Sequence, residues 1–216
     1  NEIIPLVNRS ATLTQTKVLL NDLEDILRGL FLVGELSPRS SDLVLSLGER
    51  LSSAISAAFL SEDIPKTILC DAREYIKTDE QFGNAIVDAP LTYELLAKQI
   101  KDTNDLYLFP GFVASSNQTN QITTLGRGGS DYTAALIAAA INAEELQIWT
   151  DVSGMMTANP RMVSSARTID SLSYEEAMEL SHFGAKVIYP PTIQPVLDAQ
   201  IPVWIKNTFS AEEKGT

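Results

Sequence analysis

Gly126-Arg127-Gly128-Gly129-Ser130-Asp131 is the stretch from which the fold of this 216-residue chain is read. From Tyr107 to Ala143 the only charged side chains are Arg127 and Asp131, set among apolar, small and neutral polar residues. A guanidinium in such surroundings costs desolvation energy unless an anion meets it. Asp131 meets part of that need, and a bound anion would meet the rest. Three glycines let the backbone approach a ligand and take positive φ. Ser130 is placed to cap a helix that Asp131 opens, Tyr132 to Asn142, and the free N–H groups at its start attract negative charge. Two readings stand: an anion cradle, or a helix-entry turn with an internal Arg–Asp pair.

The length predicts one domain with a sizeable core. Hydrophobic residues make up 44% and aromatics 7%, as in an ordinary soluble globular protein. The formal net charge is −12, with no basic run or basic–aromatic patch, which argues against nucleic acid as partner. An anionic ligand would have to be met by a few placed cations. The single cysteine, Cys70, lies in an apolar run and reads as a small core residue. No Cys/His cluster suggests structural zinc. No secretory leader and no apolar segment of roughly 18 residues is visible, so the expectation is a cytoplasmic protein without a membrane partner. The start, Asn-Glu-Ile-Ile-Pro, offers neither Met nor a first strand, and Ser210 to Thr216 reads as a linker. A piece of a longer protein is expected, with 1–209 a partial catalytic domain and 210–216 the start of a connection to a further domain.

Lys17 to Leu32 carries Leu19, Leu20, Leu23, Ile26, Leu27 and Leu30, one apolar stripe of a helix that Gly34 closes. A second helix is expected from Ser40 to Leu60 with Val44, Leu47, Leu51, Ile55 and Ala58 buried. Glu49 lies off that stripe among Ser46, Ser52 and Ser53; it faces solvent or a cleft, and position alone favours solvent. Strands are predicted at Lys66–Asp71, Asp105–Phe109, Leu146–Asp151 and Ile201–Asn207, and helices at Thr92–Lys101 and near Ile193–Ala199. Ala72 to Pro90 reads as hairpins and loop. Ser115 to Thr124, uncharged and polar, lines a site or is a mobile hairpin. Ser173 and Glu176 form a capping box for a helix from Tyr174 to His182 that Gly184 stops.

Strands alternate with helices from Lys66 onward, which predicts a mainly parallel sheet covered on both faces, with ligands at the carboxyl ends of its strands. The loops there, Gly111–Ser130, Thr150–Arg161 and Gly184–Lys186, hold Arg127, Arg161 and Lys186. Three cations and a helix N-terminus on one edge suit a polyphosphate. Asp151 is placed to accept from a ribose hydroxyl or to meet a metal-bound water. Taken singly, each of these residues reads better as part of a surface ion pair; taken jointly that reading weakens, because all sit in glycine-bearing loops on the expected ligand edge. Neither Gly-x-x-x-x-Gly-Lys-Ser/Thr nor Gly-x-Gly-x-x-Gly after a strand is present. The one histidine, His182, reads as structural, and Met155 and Met156 as loop hydrophobes able to cover a flat ligand.

Leu125 to Ala134, Ile148 to Gly154, Asn159-Pro160-Arg161 and Phe183 to Val187 resemble the motifs of aspartate kinases, in order and at similar spacing. Gly48 to Ser52 matches a helix segment of that family, and Ser173 to Thr208 looks most like the kinase half of bifunctional aspartokinase/homoserine dehydrogenases. The resemblance covers nearly the whole chain. It implies the amino acid kinase fold, a three-layer α/β/α sandwich with a mainly parallel central sheet, incomplete at its N-terminus. It implies transfer of the γ-phosphoryl group of ATP, bound with Mg2+, to the side-chain carboxylate of L-aspartate. By matching positions, Arg127, Gly128, Gly129 and Ser130 would hold aspartate, and Glu49 its ammonium group, reversing the surface reading of Glu49. Thr150, Asp151, Met156, Arg161, Lys186 and Val187 would contact the nucleotide. Asp131 would orient the cations around the phosphates, with Asp131 and Lys186 the catalytic pair. No protein-held metal is implied.

Met156 stands where the family often has Tyr, and Asn159 where it often has Asp. The Lys-Phe-Gly-Gly-Thr-Ser loop that supplies a phosphate-binding lysine has no match, and this stretch of chain alone is expected to have little kinase activity. The parent is expected to assemble into a homo-oligomer through domains beyond the sequence quoted. The alternatives are a silent nucleotide- or amino-acid-binding module of the same fold, and a kinase for another amino acid.

Overall fold

The computed structural model describes residues 6–64, 66–101, 104–159, 162–182 and 187–216. They form two compact units, residues 1–130 and 131–216.

The first unit opens with two packed helices, α1 (Leu6–Val33) and α2 (Pro38–Leu60). α1 starts well before Lys17, because its first turns are polar and carry little periodic signal. Gly34, at φ 71°, ends it and donates to the Leu30 carbonyl at 2.8 Å. Its stripe is only partly covered: Leu19 is buried, whereas Leu20 and Leu27 stay 48% and 49% exposed. α2 is capped by Ser37, whose hydroxyl accepts from the Ser40 N–H at 3.1 Å, with Pro38 in the first turn.

The buried face of α2 differs from the expected one. It holds Asp42, Ser46, Leu47, Ala54 and Ala57, while Ile55 is 37% exposed. The helix is turned because Asp42 is anchored. Its carboxylate accepts from the N–H and hydroxyl of Thr124 at 3.0 and 2.7 Å and from the Gly83 N–H at 2.9 Å. α2 is also long and apolar enough, by length and composition, to cross a membrane, contrary to the sequence expectation. A single such helix is weak evidence for a span, and a fully buried Asp42 bonded to Thr124 packs against protein.

β1 (Thr67–Leu69) and β3 (Leu106–Leu108) pair in parallel. β2 (Lys77–Thr78) runs parallel to β4 (Val113–Ser116), which is antiparallel to β5 (Ile122–Thr124). The excursion after β1 contains the short helix α3 (Ala72–Tyr75), capped by Asp71, before β2 and α4 (Ala89–Gln99), capped by Asp88. Ser115 to Thr124 forms a β-hairpin, one of the two forms expected for it. Ser115, Ser116, Thr123 and Thr124 are buried, and the Thr78 and Thr123 hydroxyls share a bond of 2.7 Å. Its other buried hydroxyls bond outside the sheet: Ser115 donates to the Arg73 carbonyl at 2.7 Å, Ser116 to the Glu80 carboxylate at 3.3 Å and Thr124 to Asp42.

The division between the units falls in the first turn of α5 (Gly129–Ile141). The second unit pairs β6 (Leu146–Thr150) in parallel with β7 (Val203–Asn207) over five residues. Its core gathers Ala135, Ala138, Leu146, Met155, Ile188, Ile193, Val196, Ile201 and Ile205. α6 (Tyr174–His182) opens with both bonds of the expected capping box: Glu176 N–H to the Ser173 hydroxyl at 3.2 Å and Ser173 N–H to the Glu176 carboxylate at 2.8 Å. The expected stop at Gly184 lies outside the described residues. A 3-10 turn (Pro190–Ile193) leads into α7 (Gln194–Asp198). Beyond β7 the chain turns back, and Thr216 exchanges two backbone bonds with Ile205, at 3.0 and 3.2 Å.

Candidate functional site

β5 delivers the chain to the turn that carries Arg127, and Asp42 fixes the end of that strand. Gly126 and Gly128 both take φ 70°, a conformation costly for any residue with a Cβ. Gly126 lies so close to Asn84 that a Cβ would collide with its side-chain oxygen. The turn is closed by the Gly129 N–H to the Gly126 carbonyl at 3.1 Å. Gly129 is buried, and a Cβ there would stand 2.8 Å from the Phe112 ring and 3.1 Å from Leu125. Phe112 itself holds φ 70°, rare for a bulky residue, and its carbonyl accepts from the Leu125 N–H at 3.0 Å. Strain of this kind concentrates where a loop is held in one shape for a ligand.

The glycine geometry starts the helix earlier than the sequence suggested. α5 begins at Gly129, so Ser130 sits inside its first turn and is not the residue before it. Ser130 is exposed, and its backbone and hydroxyl come within 3.0 Å of where a Cβ on Gly111 would stand. Arg127 is exposed at the tip of the turn, so the desolvation cost expected from its apolar sequence neighbours does not arise. The first unit therefore brings Arg127, Gly128, Gly129 and Ser130 into a single tight turn. Glu49 is half-buried on α2, seven residues beyond Asp42 and so near the same helical face.

In the second unit Asp131 is half-buried in the first turn of α5, and burial raises its carboxyl above the ordinary value. Thr150 ends β6. Its carbonyl accepts from the Thr208 N–H at 2.8 Å, and its hydroxyl donates to the exposed Asp151 carboxylate at 3.2 Å. The Asn207 amide donates to the Ser153 hydroxyl at 3.0 Å, tying the loop after β6 to the end of β7. Thr150, Asp151, Ser153 and Asn207 thus share the carboxyl edge of a parallel pair, where ligands bind in α/β folds. Met156 bridges Thr168 in antiparallel fashion, with the Thr157 N–H on the Arg167 carbonyl and the Ile169 N–H on the Met155 carbonyl. Val187 packs against the core. Arg161 and Lys186 lie outside the described residues.

Sequence reasoning missed Asp42, Phe112 and Thr216, each of which shapes a loop of the site. The only local signal among them was Gly111 before Phe112. Asp42 looked like an ordinary acid in a helix's first turn, and Thr216 like part of a linker.

The family model described as the amino acid kinase family matches residues 7–207. Lysine-sensitive aspartokinase 3 of Escherichia coli (strain K12) is 37% identical over 206 residues, which is 92% of this chain and 46% of that protein. The bifunctional aspartokinase/homoserine dehydrogenase of Buchnera aphidicola subsp. Acyrthosiphon pisum is 36% identical over 197 residues, 91% of this chain and 24% of that protein. The crystal structure of E. coli aspartokinase III in complex with aspartate and ADP (R-state) superposes with a TM-score of 0.86 at 36% identity, covering 94% of this chain and 45% of that one. The chain spans less than half the length of these relatives.

Proposed function

Because this chain belongs to the amino acid kinase family, we propose that it is the nucleotide- and substrate-binding part of an aspartate kinase, which phosphorylates the side-chain carboxylate of L-aspartate with ATP. The observation that carries the reading is the glycine turn. It presents an exposed Arg127 on a backbone made rigid by Asp42, Phe112 and two left-handed glycines. A guanidinium recognises a carboxylate in two-point fashion. The likeness to a structure described as holding aspartate and ADP supports the same substrates here.

In this reading Arg127 takes a carboxylate of aspartate, the Gly128 to Ser130 backbone supports it, and Glu49 meets the ammonium group. Thr150, Asp151, Met156 and Val187 hold the nucleotide together with Arg161 and Lys186. Met156, held by its isolated bridge to Thr168, supplies an apolar face for the base. Asp131 orients the cations around the phosphates. Mg2+ would arrive bound to the phosphates of ATP. Catalysis would rest on positioning and charge neutralisation. The parent would act in the cytoplasm, as a homo-oligomer joined through domains beyond 210–216.

The test is the Arg127→Ala variant of the full-length protein. A charged hydrogen bond of this kind is worth about 1.5–3 kcal/mol, so kcat/KM for aspartate should fall at least about tenfold and up to about a hundredfold. An unchanged aspartate-dependent release of ADP would refute the assignment. A wild-type protein that releases ADP with another amino acid and not with aspartate would move the substrate. One that binds ADP without turnover would make it a silent module.

A further inference from the structure

Thr216 does more than end a turn. Its hydroxyl accepts from the Met155 N–H at 2.8 Å and reaches back to the Met155 carbonyl at 3.5 Å. Its backbone exchanges two bonds with Ile205 at the centre of β7. The approach is close enough to dictate two glycines. A Cβ on Gly154, which takes φ 119°, would collide with the Thr216 hydroxyl, and a Cβ on Gly215, at φ 79°, would collide with the Ile205 carbonyl. Gly154 and Gly215 are both buried.

The residue so clasped is the hinge of the loop after β6. Met155 is 1% exposed, its side chain locked in the core cluster, while its neighbour Met156 is only half-buried. The Met155 carbonyl also takes the Ile169 N–H at 2.8 Å, which lines the loop up against residues 167–169. Upstream the same loop is tied by Ser153 to Asn207. Its path from Asp151 to Met156 is therefore set from both ends, and on the downstream side the N–H of the hinge residue is held by Thr216.

We propose that Thr216 is a positioning residue for the nucleotide. By clasping the Met155 backbone it holds Gly154 to Met156 in the shape that presents Asp151 to the ribose or metal and Met156 to the base. This rests on the nucleotide assignment of the preceding section. It makes the Gly215–Thr216 segment part of the ATP site without touching ATP. Without the hydroxyl the Met155 N–H is left without its acceptor, and the loop moves away from the binding shape. The cost falls on nucleotide affinity, and neither the aspartate turn nor the transfer step is altered.

The experiment compares wild type, Thr216→Val and Thr216→Ser in the full-length protein. ADP affinity is measured by calorimetry, and KM for ATP, KM for aspartate and kcat by steady-state kinetics. Valine keeps the shape and removes the hydroxyl; the Kd for ADP and KM for ATP should rise about tenfold, with KM for aspartate and kcat moving less than about twofold. Serine restores the acceptor and should return both nucleotide constants to near wild type. A merely structural role would damage all constants together and would not be rescued by serine. Should the valine variant fail to fold, Thr216→Ala against Thr216→Ser reads the same hydroxyl. A folded Thr216→Val protein that binds ADP as wild type does overturns the proposal. A wild type that binds no ADP overturns the nucleotide assignment itself, a distinct result.

Discussion

Asp42 is the group whose removal should be felt furthest from its own position. Three donors converge on its fully buried carboxylate: Gly83 N–H at 2.9 Å, Thr124 N–H at 3.0 Å and Thr124 hydroxyl at 2.7 Å. Each bond to a charged acceptor is worth about 1.5–3 kcal/mol, but burying the carboxylate takes back much of that sum. Asp42→Ala leaves three neutral donors unmet, at about 1–3 kcal/mol for each buried one. Asn is milder. Its one oxygen can serve both N–H groups while its amide donates to the Thr124 hydroxyl, so Asp42→Asn should cost about 1 kcal/mol. Hydrogen–deuterium exchange of the full-length protein reads this locally, in peptides covering residues 79–87 and 120–130. The alanine variant should exchange there at least about a hundredfold faster, by the 1.4 kcal/mol that equals a factor of ten, while asparagine changes exchange by less than about tenfold. KM for aspartate should rise with alanine, since Arg127 is three residues beyond Thr124. Unchanged exchange in Asp42→Ala, or asparagine as damaging as alanine, would refute the argument that these bonds fix the turn.

Gly129→Ala puts a Cβ 2.8 Å from the ring of Phe112, which is itself held at φ 70° and cannot retreat; a cost of about 1–3 kcal/mol and a raised KM for aspartate are expected. Gly48→Ala is its control: nothing lies within 4 Å of that Cβ, the site is helical, and thermal unfolding should show a gain of about 0.5–1 kcal/mol. Burial pushes the Asp71 carboxyl up, but the hydrogen bonds and charge of Arg73 outweigh it and hold the group below its ordinary value. A lowered carboxyl stabilises the fold above its unfolded pKa, about 4, and loses that contribution as pH falls toward the folded value. Asp71→Asn should therefore lower the melting temperature at pH 7 and converge with wild type as pH drops below about 4; a pH-independent gap would refute the ion-pair account.

What the sequence made legible was local. The capping box at Ser173, the Gly34 stop, the β6 strand and the helix after the glycine turn are each settled by residues within a few positions of one another, and pattern reading sees that range. It failed where polar residues find distant partners. The buried face of α2 was placed on its apolar stripe because periodicity treats Asp42 and Ser46 as solvent-facing, yet Asp42 meets Thr124 across 82 residues. The stretch from Ser115 to Thr124 left two readings open for the same reason: its buried hydroxyls find partners far along the chain, Thr123 on Thr78 and Ser115 on the Arg73 carbonyl. Thr216 reaches Met155 across 61 residues and so looked like linker. These errors share a direction, and it is informative. A buried polar group must be satisfied, so each one the pattern misplaced marks a junction between distant segments. Here two of the three junctions lie beside the loops that carry Arg127 and Met156. The polar residues that mislead a hydrophobic-period reading are the ones that hold the binding loops in shape, and a search for buried hydroxyls and carboxylates would find the supporting residues of such a site before its ligand is known.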